Sequence, residues 1–201
     1  MKLLFGMLSS YLIGSIPTAY LVGKWTREID IRKHGSGNVG ATNVFRVVGK
    51  KWGVGVLLFD MLKGVAVVLG IAPFAFSALN PFVTMLVCGI SAIIGHTWTV
   101  WLGFRGGKGV ATSAGVFLAL APRAALVSLF LWAVLFAWKR YVSLASLGTA
   151  LLFPLWVACF YGRSDDFWIL CPISLGVPVF IFYTHRENIR RLREGTEKRL
   201  V

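Results

Sequence analysis

The chain carries one polar run that its apolar surroundings do not explain, His34-Gly35-Ser36-Gly37-Asn38-Val39-Gly40-Ala41-Thr42-Asn43-Val44-Phe45-Arg46. Three glycines, two side-chain amides and two hydroxyls in one short run favour a loop over a helix. Glycines let backbone N–H groups turn into an anion-binding concavity, and the guanidinium of Arg46 offers phosphate a fixed fork of donors. The run therefore predicts a phosphate-recognising loop, with a flexible connector between two membrane helices as the alternative.

The rest of the chain is too apolar for an ordinary soluble domain, because 57% of its 201 residues are hydrophobic and the mean hydropathy is +0.73. A membrane-spanning helix needs roughly 20 apolar residues. The predicted spans are 3–23, 53–73, 81–101, 109–121, 123–138, 142–161 and 166–184. We therefore expect an all-α, polytopic integral membrane protein of about seven transmembrane helices, folded as a single domain over residues 1–201.

The positions of the lysines and arginines indicate how the chain crosses the membrane. Lysine and arginine are in excess in the cytoplasmic loops of membrane proteins. Of the 21 present here, all but Lys2, Lys63, Arg123 and Arg163 fall into alternate loops and the C-terminal tail. This bias predicts an N-terminus outside and a C-terminus in the cytoplasm. Because the charges lie between apolar spans and not on one face of a soluble fold, no nucleic-acid partner is expected.

A second glycine-rich loop precedes the fourth predicted span, Gly103-Phe104-Arg105-Gly106-Gly107-Lys108-Gly109. Glycines around a lysine at a helix start combine backbone N–H donors, the positive end of the helix dipole and an ammonium group, which together suit phosphate. The spacing is not that of a Walker A loop, because Gly109 follows Lys108. The alternative is a glycine hinge with a snorkelling lysine.

Further polar residues lie inside or at the ends of the spans. Asp60 and Lys63, three residues apart in the second span, are expected to pair and line the site, since lone charges at that depth are costly. Direct contact with a ligand is the alternative. His96 is a candidate general base, or a residue that fixes one of the loops. Ser143 and Ser146 follow a basic pair at a helix start and are either helix caps or phosphate ligands.

The last polar cluster is His185-Arg186-Glu187-Asn188, which leads into a basic tail. Most of that tail is predicted to be an interfacial helix touching anionic lipid. No carboxylate or histidine cluster has metal-ligand spacing, so neither a metal nor a cofactor is expected. No histidine is followed five positions later by aspartate, which excludes the pattern that many lipid acyltransferases use.

Five runs in this order resemble the bacterial PlsY family, the acyl-phosphate:glycerol-3-phosphate acyltransferases. They are Gly35–Asn43 with Arg46, Phe59–Gly64, Gly95-His96 with Gly103–Thr112, Arg140–Ser146, and His185–Asn188. The chain departs from the family at Thr99 and Arg105, where proline and lysine are usual, and Thr99 is expected to leave the approach to the glycine loop less rigid.

The resemblance implies transfer of an acyl group from a fatty acyl phosphate to the 1-hydroxyl of glycerol 3-phosphate. The products are lysophosphatidic acid and inorganic phosphate, in the first step of phospholipid synthesis. It also implies a monomer in the bacterial cytoplasmic (inner) membrane, with the two substrates and membrane lipid as its partners. Because an acyl phosphate is already a reactive mixed anhydride, positioning and charge stabilisation suffice for catalysis, and the donor's own phosphate oxygen is the candidate general base.

The implied site residues fall into two groups. Those expected to bind substrate phosphate are Gly37, Gly40, Thr42, Asn43, Arg46, Gly106, Gly107, Lys108, Gly109, Ser143 and Ser146. Those expected to take part in catalysis, chiefly by orienting the glycerol hydroxyls, are Ser36, Asn38, His96, His185 and Asn188. Two alternatives remain from other classes: a transporter for a small organophosphate, and a lipid-binding scaffold without turnover.

Overall fold

The structure is a computed structural model that describes residues 1–76 and 80–200. Within those residues it is built from helices and short loops and contains no strand, which confirms the all-α class. The chain divides into two compact units, Met1–Leu120 and Ala121–Val201. The two units are described in turn.

The first unit is formed by helices that meet at glycines. They are α1 (Lys2–Ser15), α2 (Thr18–Arg27), α3 (Ala41–Val47), α4 (Lys50–Ala66), α5 (Pro81–Thr97) and α6 (Val110–Leu120). A π-helical turn (Val67–Ile71) and a 3-10 turn (Ala72–Ala75) extend α4, and a 3-10 turn (Val100–Leu102) follows α5.

Two close helix crossings hold the first unit together. Gly14 of α1 lies against the backbone of α5, and Gly95 of α5 lies against the backbone of α1. Gly64 of α4 and Gly115 of α6 make the equivalent contacts with each other's helix. A side chain at any of these positions would collide with backbone atoms, so small residues are what bring these helices together.

The first predicted span, 3–23, is broken. Helix α1 ends at Ser15 and α2 begins at Thr18. Pro17 has no N–H to donate, and it forces Ile16 into an extended conformation (φ −53°, ψ 114°). The prediction of one continuous helix was therefore wrong, and the break leaves carbonyl groups of the last turn of α1 in need of other partners.

The polar run that was predicted to be a loop is half helix. His34–Gly40 forms a loop, as expected, but α3 covers Ala41–Val47. Gly40 is extended (φ −142°, ψ 166°) and leads the chain into the helix. Val44 is fully buried in a core cluster with Ile31 and Val48, and this burial outweighs the loop-favouring composition of the run.

The second unit contains α7 (Pro122–Lys139), α8 (Val142–Tyr161), α9 (Phe167–Thr184) and α10 (Arg186–Arg193). The indole N–H of Trp132 on α7 donates to the hydroxyl of Ser146 on α8 at 3.1 Å. Helix α10 is the helix predicted for the basic tail, and its contact with anionic lipid remains a prediction.

Six helical segments in the described residues are long and apolar enough to cross a membrane: Lys2–Arg27, Lys50–Ala75, Pro81–Leu102, Pro122–Lys139, Val142–Tyr161 and Phe167–Thr184. The fourth predicted span corresponds to α6, whose 11 residues extend only about 16 Å at 1.5 Å per residue. That is short against a hydrocarbon core of about 30 Å. The structure thus supports several membrane spans, while the count of seven and the orientation stay predictions.

Candidate functional site

The loop His34–Gly40 is held in shape by one buried amide. Asn43 is 1% exposed, and its Nδ2 donates to the carbonyl oxygens of Ile31 at 3.1 Å and His34 at 3.0 Å. Its Oδ1 accepts the backbone N–H of Ser36 at 2.9 Å. Because the side chain uses both of its N–H groups inside the loop, we assign Asn43 to positioning the loop and not to direct phosphate binding.

The other polar residues of this segment are more accessible. Ser36 is exposed, and Asn38, Thr42 and Arg46 are half-buried. Gly37 has a left-handed backbone (φ +71°), and its N–H closes a turn onto the carbonyl of His34 at 3.0 Å. The N–H of Gly37 is therefore used within the loop, while the side chains of Ser36, Asn38, Thr42 and Arg46 remain accessible.

Replacing Asn43 by alanine should loosen this loop. The substitution removes three hydrogen bonds, two of them to carbonyl groups, and we expect it to lower the free energy of unfolding by about 2 kcal/mol. Thermal unfolding in detergent measures the change. Thr42→Ser, on the same helix but with its hydroxyl retained, is the control and should leave the melting temperature within about 1 °C. An Asn43→Ala protein as stable as the parent would contradict the assignment.

The second glycine-rich loop packs directly on His96. The N–H of Gly106 donates to the carbonyl of Thr97, and that of Gly107 to the carbonyl of His96, both at 3.0 Å. The α-carbon of Gly107 lies against Nε2 of the His96 ring, so that any side chain there would collide with it. These two N–H groups close the C-terminus of α5, and phosphate binding by Gly106 and Gly107 stays a prediction.

The phosphate-binding features that remain in this loop lie one step further along the chain. Lys108 is half-buried and Gly109 has a left-handed backbone (φ +78°). Helix α6 then begins at Val110. A lysine beside the N-terminal N–H groups of an apolar helix keeps the charge complementarity on which the prediction depended.

Asp60 and Lys63 form the buried pair that their spacing predicted. Lys63 Nζ lies 2.7 Å from Asp60 Oδ1, and each side chain is 3% exposed. Lys63 also donates to the carbonyls of Gly14 and Ile16, at 3.3 and 2.9 Å, and Asp60 accepts the hydroxyl of Thr18 at 2.9 Å. The ammonium group thus serves the C-terminal end of α1 and the carboxylate the N-terminal end of α2, matching the two helix dipoles at the break.

Thr99, expected to make its segment less rigid, is buried and hydrogen-bonded. The side chain is 2% exposed, and its hydroxyl donates to the carbonyl of Ser15 at 2.6 Å. Nearby, the hydroxyl of Tyr11 donates to the carbonyl of Trp98 at 2.7 Å. These bonds tie the segment after α5 to the broken first span, a role that a proline at position 99 has no donor to perform.

One pocket of the first unit collects these features. It is lined by the break in the first span, by Asp60, His96 and Thr99, by Val39 of the first loop, and by Gly106 and Gly107 of the second loop. His96 Nδ1 lies 3.9 Å from Asp60 Oδ1. Both glycine-rich segments therefore line the same pocket, together with Asp60 of the buried Asp60–Lys63 pair.

The second unit contains a different polar cluster, centred on the carboxylate of Glu197. Its Oε1 accepts the hydroxyl of Ser143 at 2.8 Å and Nδ2 of Asn188 at 2.6 Å, and its Oε2 accepts Nε of Arg191 at 2.7 Å. Burial opposes ionisation of Glu197, but the hydrogen bonds from Asn188, Arg191 and Ser143 outweigh it and hold its pKa below the ordinary value. Two predicted site residues are thus fixed by one carboxylate.

The remaining predicted residues of this unit are buried and bonded. The hydroxyl of Ser146 donates to the carbonyl of Val142 at 2.9 Å and accepts the indole N–H of Trp132, so we assign it to helix packing. His185 is 2% exposed, and its Nδ1 lies 2.9 Å from the carbonyl of Ile181. Because a carbonyl only accepts, Nδ1 carries the proton of this hydrogen bond.

Sequence reasoning missed Thr18, Arg191 and Glu197, and it did not predict the hydrogen bond of Thr99 to the first span. Pro17 inside an apolar run is a signal for the broken span, and so for a polar residue beside it. Glu197 is one of only eight acidic residues and stands in a basic tail, which marks it as a candidate partner. Nothing local points to Ser143 as that partner, since it lies on another helix.

Comparison with known proteins decides the family. The family model described as glycerol-3-phosphate acyltransferase matches residues 4–195. The chain belongs to the glycerol-3-phosphate acyltransferase family. Relatives with that name include one from Geobacter sulfurreducens, 45% identical over 190 residues (94% of this chain and 93% of the relative). Another, from Chlorobium luteolum, is 40% identical over 229 residues (100% and 97%).

Solved structures agree. A crystal structure of PlsY, an integral membrane glycerol 3-phosphate acyltransferase, in its glycerol 3-phosphate form has a TM-score of 0.86 at 40% identity, covering 99% of this chain and 96% of that one. The lysophosphatidic acid form of PlsY has a TM-score of 0.83 at 39% identity, covering 99% and 95%. The resemblance to PlsY is confirmed, and this member of the acyltransferase family is a multi-pass membrane protein.

Proposed function

We propose that this protein transfers the acyl group of a fatty acyl phosphate to the 1-hydroxyl of glycerol 3-phosphate, as a monomer in the bacterial cytoplasmic membrane. The products are 1-acyl-glycerol 3-phosphate and inorganic phosphate, and the reaction is the first step of membrane phospholipid synthesis. The observation that carries the proposal is the full-length match with PlsY, whose two forms carry glycerol 3-phosphate and lysophosphatidic acid, the acceptor and product proposed here.

The chemistry needs no nucleophile from the protein. The hydroxyl oxygen of the acceptor attacks the acyl carbon, the bond from that carbon to the phosphate oxygen breaks, and the departing phosphate takes the hydroxyl proton. An acyl phosphate suits such a site, because its leaving group is also the base. What the protein contributes is alignment of the two substrates and compensation of their negative charge.

We assign roles within each unit. In the first unit Arg46 and Lys108 bind phosphate, and Ser36 and Asn38 orient glycerol hydroxyls. His96 supports this site from below, because its ring lies under the α-carbon of Gly107 and beside Asp60. It is therefore a positioning residue in this proposal and not the general base.

In the second unit Ser143 binds phosphate, and His185 and Asn188 orient the acceptor. Glu197 holds Ser143 and Asn188 in place through its two hydrogen bonds to them. The hydrogen bond from Nδ1 of His185 to the carbonyl of Ile181 fixes the orientation of its ring.

The donor is tested by phosphate release from palmitoyl phosphate in proteoliposomes, with and without glycerol 3-phosphate, and with palmitoyl-CoA as a parallel donor. We expect phosphate release to depend on glycerol 3-phosphate, with lysophosphatidate formed and the CoA ester unused. A folded sample that uses palmitoyl-CoA and does not use palmitoyl phosphate would overturn the assignment of acyl phosphate as the donor. The assignment as an acyltransferase would still stand.

The broken first span is the one observation that favours an organophosphate transporter, since interrupted helices with charges at membrane depth are typical of transporters. Here Asp60 and Lys63 hydrogen-bond to the two helix ends at that break. This supports a structural role for the pair. Uptake of labelled glycerol 3-phosphate by sealed vesicles without acyl donor would instead support transport.

A further inference from the structure

Two large aromatic side chains face outward after α5, at the start of the second glycine-rich loop. Trp101 is 61% exposed and Phe104 is 60% exposed. Their segment is firmly anchored, because Thr99 is bonded to the first span and Leu102 is buried in a core cluster. The outward direction of the two rings is therefore set by a fixed backbone.

The backbone of Phe104 is itself unusual. Its φ is +60°, directly after Gly103 at +65°, and its N–H donates to the carbonyl of Thr99 at 2.9 Å. Among the described non-glycine residues, positive φ also occurs at Glu28 and Arg140, which end α2 and α7 in the left-handed conformation usual for helix caps. Phe104 ends no α-helix, so a glycine would fit its backbone better.

A strained residue that keeps a large, exposed ring calls for a use of that ring outside the protein's own core. The first glycine-rich loop follows Arg32 and Lys33, which are exposed and charged. The second loop follows Trp101 and contains Phe104 as its second residue. An amphipathic ligand, with phosphate at one end and a long acyl chain at the other, matches the second loop and not the first.

We propose that the ring of Phe104, with Trp101 beside it, contacts the acyl chain of the donor and makes the enzyme prefer long chains. The inference deepens the proposed function, on which it rests, and places the donor phosphate at Lys108 and the start of α6. Phe104 is four residues from Lys108, so their α-carbons are at most about 15 Å apart. A long acyl chain leaving this loop reaches the ring, whereas a four-carbon chain gains little from it.

The test compares donors of increasing chain length, from butyryl through octanoyl and dodecanoyl to palmitoyl phosphate, on variants in identical proteoliposomes. For Phe104→Gly and Phe104→Asn we expect kcat/KM to fall about tenfold with palmitoyl phosphate and to change less than twofold with butyryl phosphate. Phe104→Leu, which keeps an apolar side chain, should recover most of the long-chain activity. The melting temperature of Phe104→Gly should equal or exceed that of the parent, because glycine suits φ +60°.

The control is Phe74→Ala, which removes a 77% exposed phenylalanine from the far end of the second span and should leave the chain-length profile unchanged. An equal loss with all four donors in Phe104→Gly would overturn the inference and make the ring a general lipid anchor. No loss with any donor would also overturn it. A parent protein that uses none of the acyl phosphates would instead overturn the proposed function itself.

Discussion

Replacing Asp60 by alanine is expected to lower the free energy of unfolding by about 3–5 kcal/mol, because it leaves the ammonium of Lys63 buried without its counter-charge. Both side chains are 3% exposed at a separation of 2.7 Å, and they lie inside a membrane-spanning segment where water does not compensate the loss. In a protein of this size that corresponds to a melting temperature lower by about 10 °C in detergent. The double variant Asp60→Leu with Lys63→Met removes both charges and should recover much of the loss.

The chain provides a matched control for this pair. Arg190 and Glu187 have the same three-residue spacing and the same 2.7 Å separation, but their side chains are 65% and 56% exposed. Glu187→Ala should therefore cost about 0.5 kcal/mol or less. If Asp60→Ala and Glu187→Ala shifted the melting temperature equally, burial would not be what gives the inner pair its effect.

The sequence predicts the parts of this fold that depend on local pattern. Long apolar runs predict the spans, and the spacing of Asp60 and Lys63 predicts their pair, because both effects act within one helix. The structural role of this pair is not predictable from local pattern. Its partners at Gly14 and Ile16 are more than forty residues away, and they need a partner only because Pro17 interrupts α1.

The same limit applies to the glycine-rich loops. Composition predicts that both segments bind phosphate, but it does not say which groups of the protein their backbone contacts. In the structure Gly107 lies against the ring of His96, and its N–H closes α5. Asn43 is likewise predicted from the sequence to bind phosphate, but its side chain donates to the carbonyl groups of Ile31 and His34. The sequence does not separate the two roles, because an amide side chain can serve either.

The second large effect is expected at Glu197. Glu197→Ala removes the acceptor of three hydrogen bonds, from Ser143, Asn188 and Arg191. Hydrogen bonds to a charged acceptor are the stronger kind, so the loss should be about 3 kcal/mol of stability. Because two of the three donors are proposed substrate ligands, we also expect kcat/KM for glycerol 3-phosphate to fall about 100-fold. Glu194→Gln, exposed in the same tail, is the control and should change neither quantity.

The effect of Glu197 should also depend on pH in a direction that its environment fixes. The pKa of Glu197 in the folded protein lies below its ordinary value of 4.5, so the unfolded chain binds the proton more readily. Its contribution to stability is then fully present above about pH 5 and is lost as pH falls through the folded pKa. The stability difference between the parent and Glu197→Gln, measured by thermal unfolding from pH 7 to pH 3, should shrink over the acidic part of that range. A difference that stays constant down to pH 3 would mean that the charge of Glu197 does not hold Ser143 and Asn188, and that only its shape does.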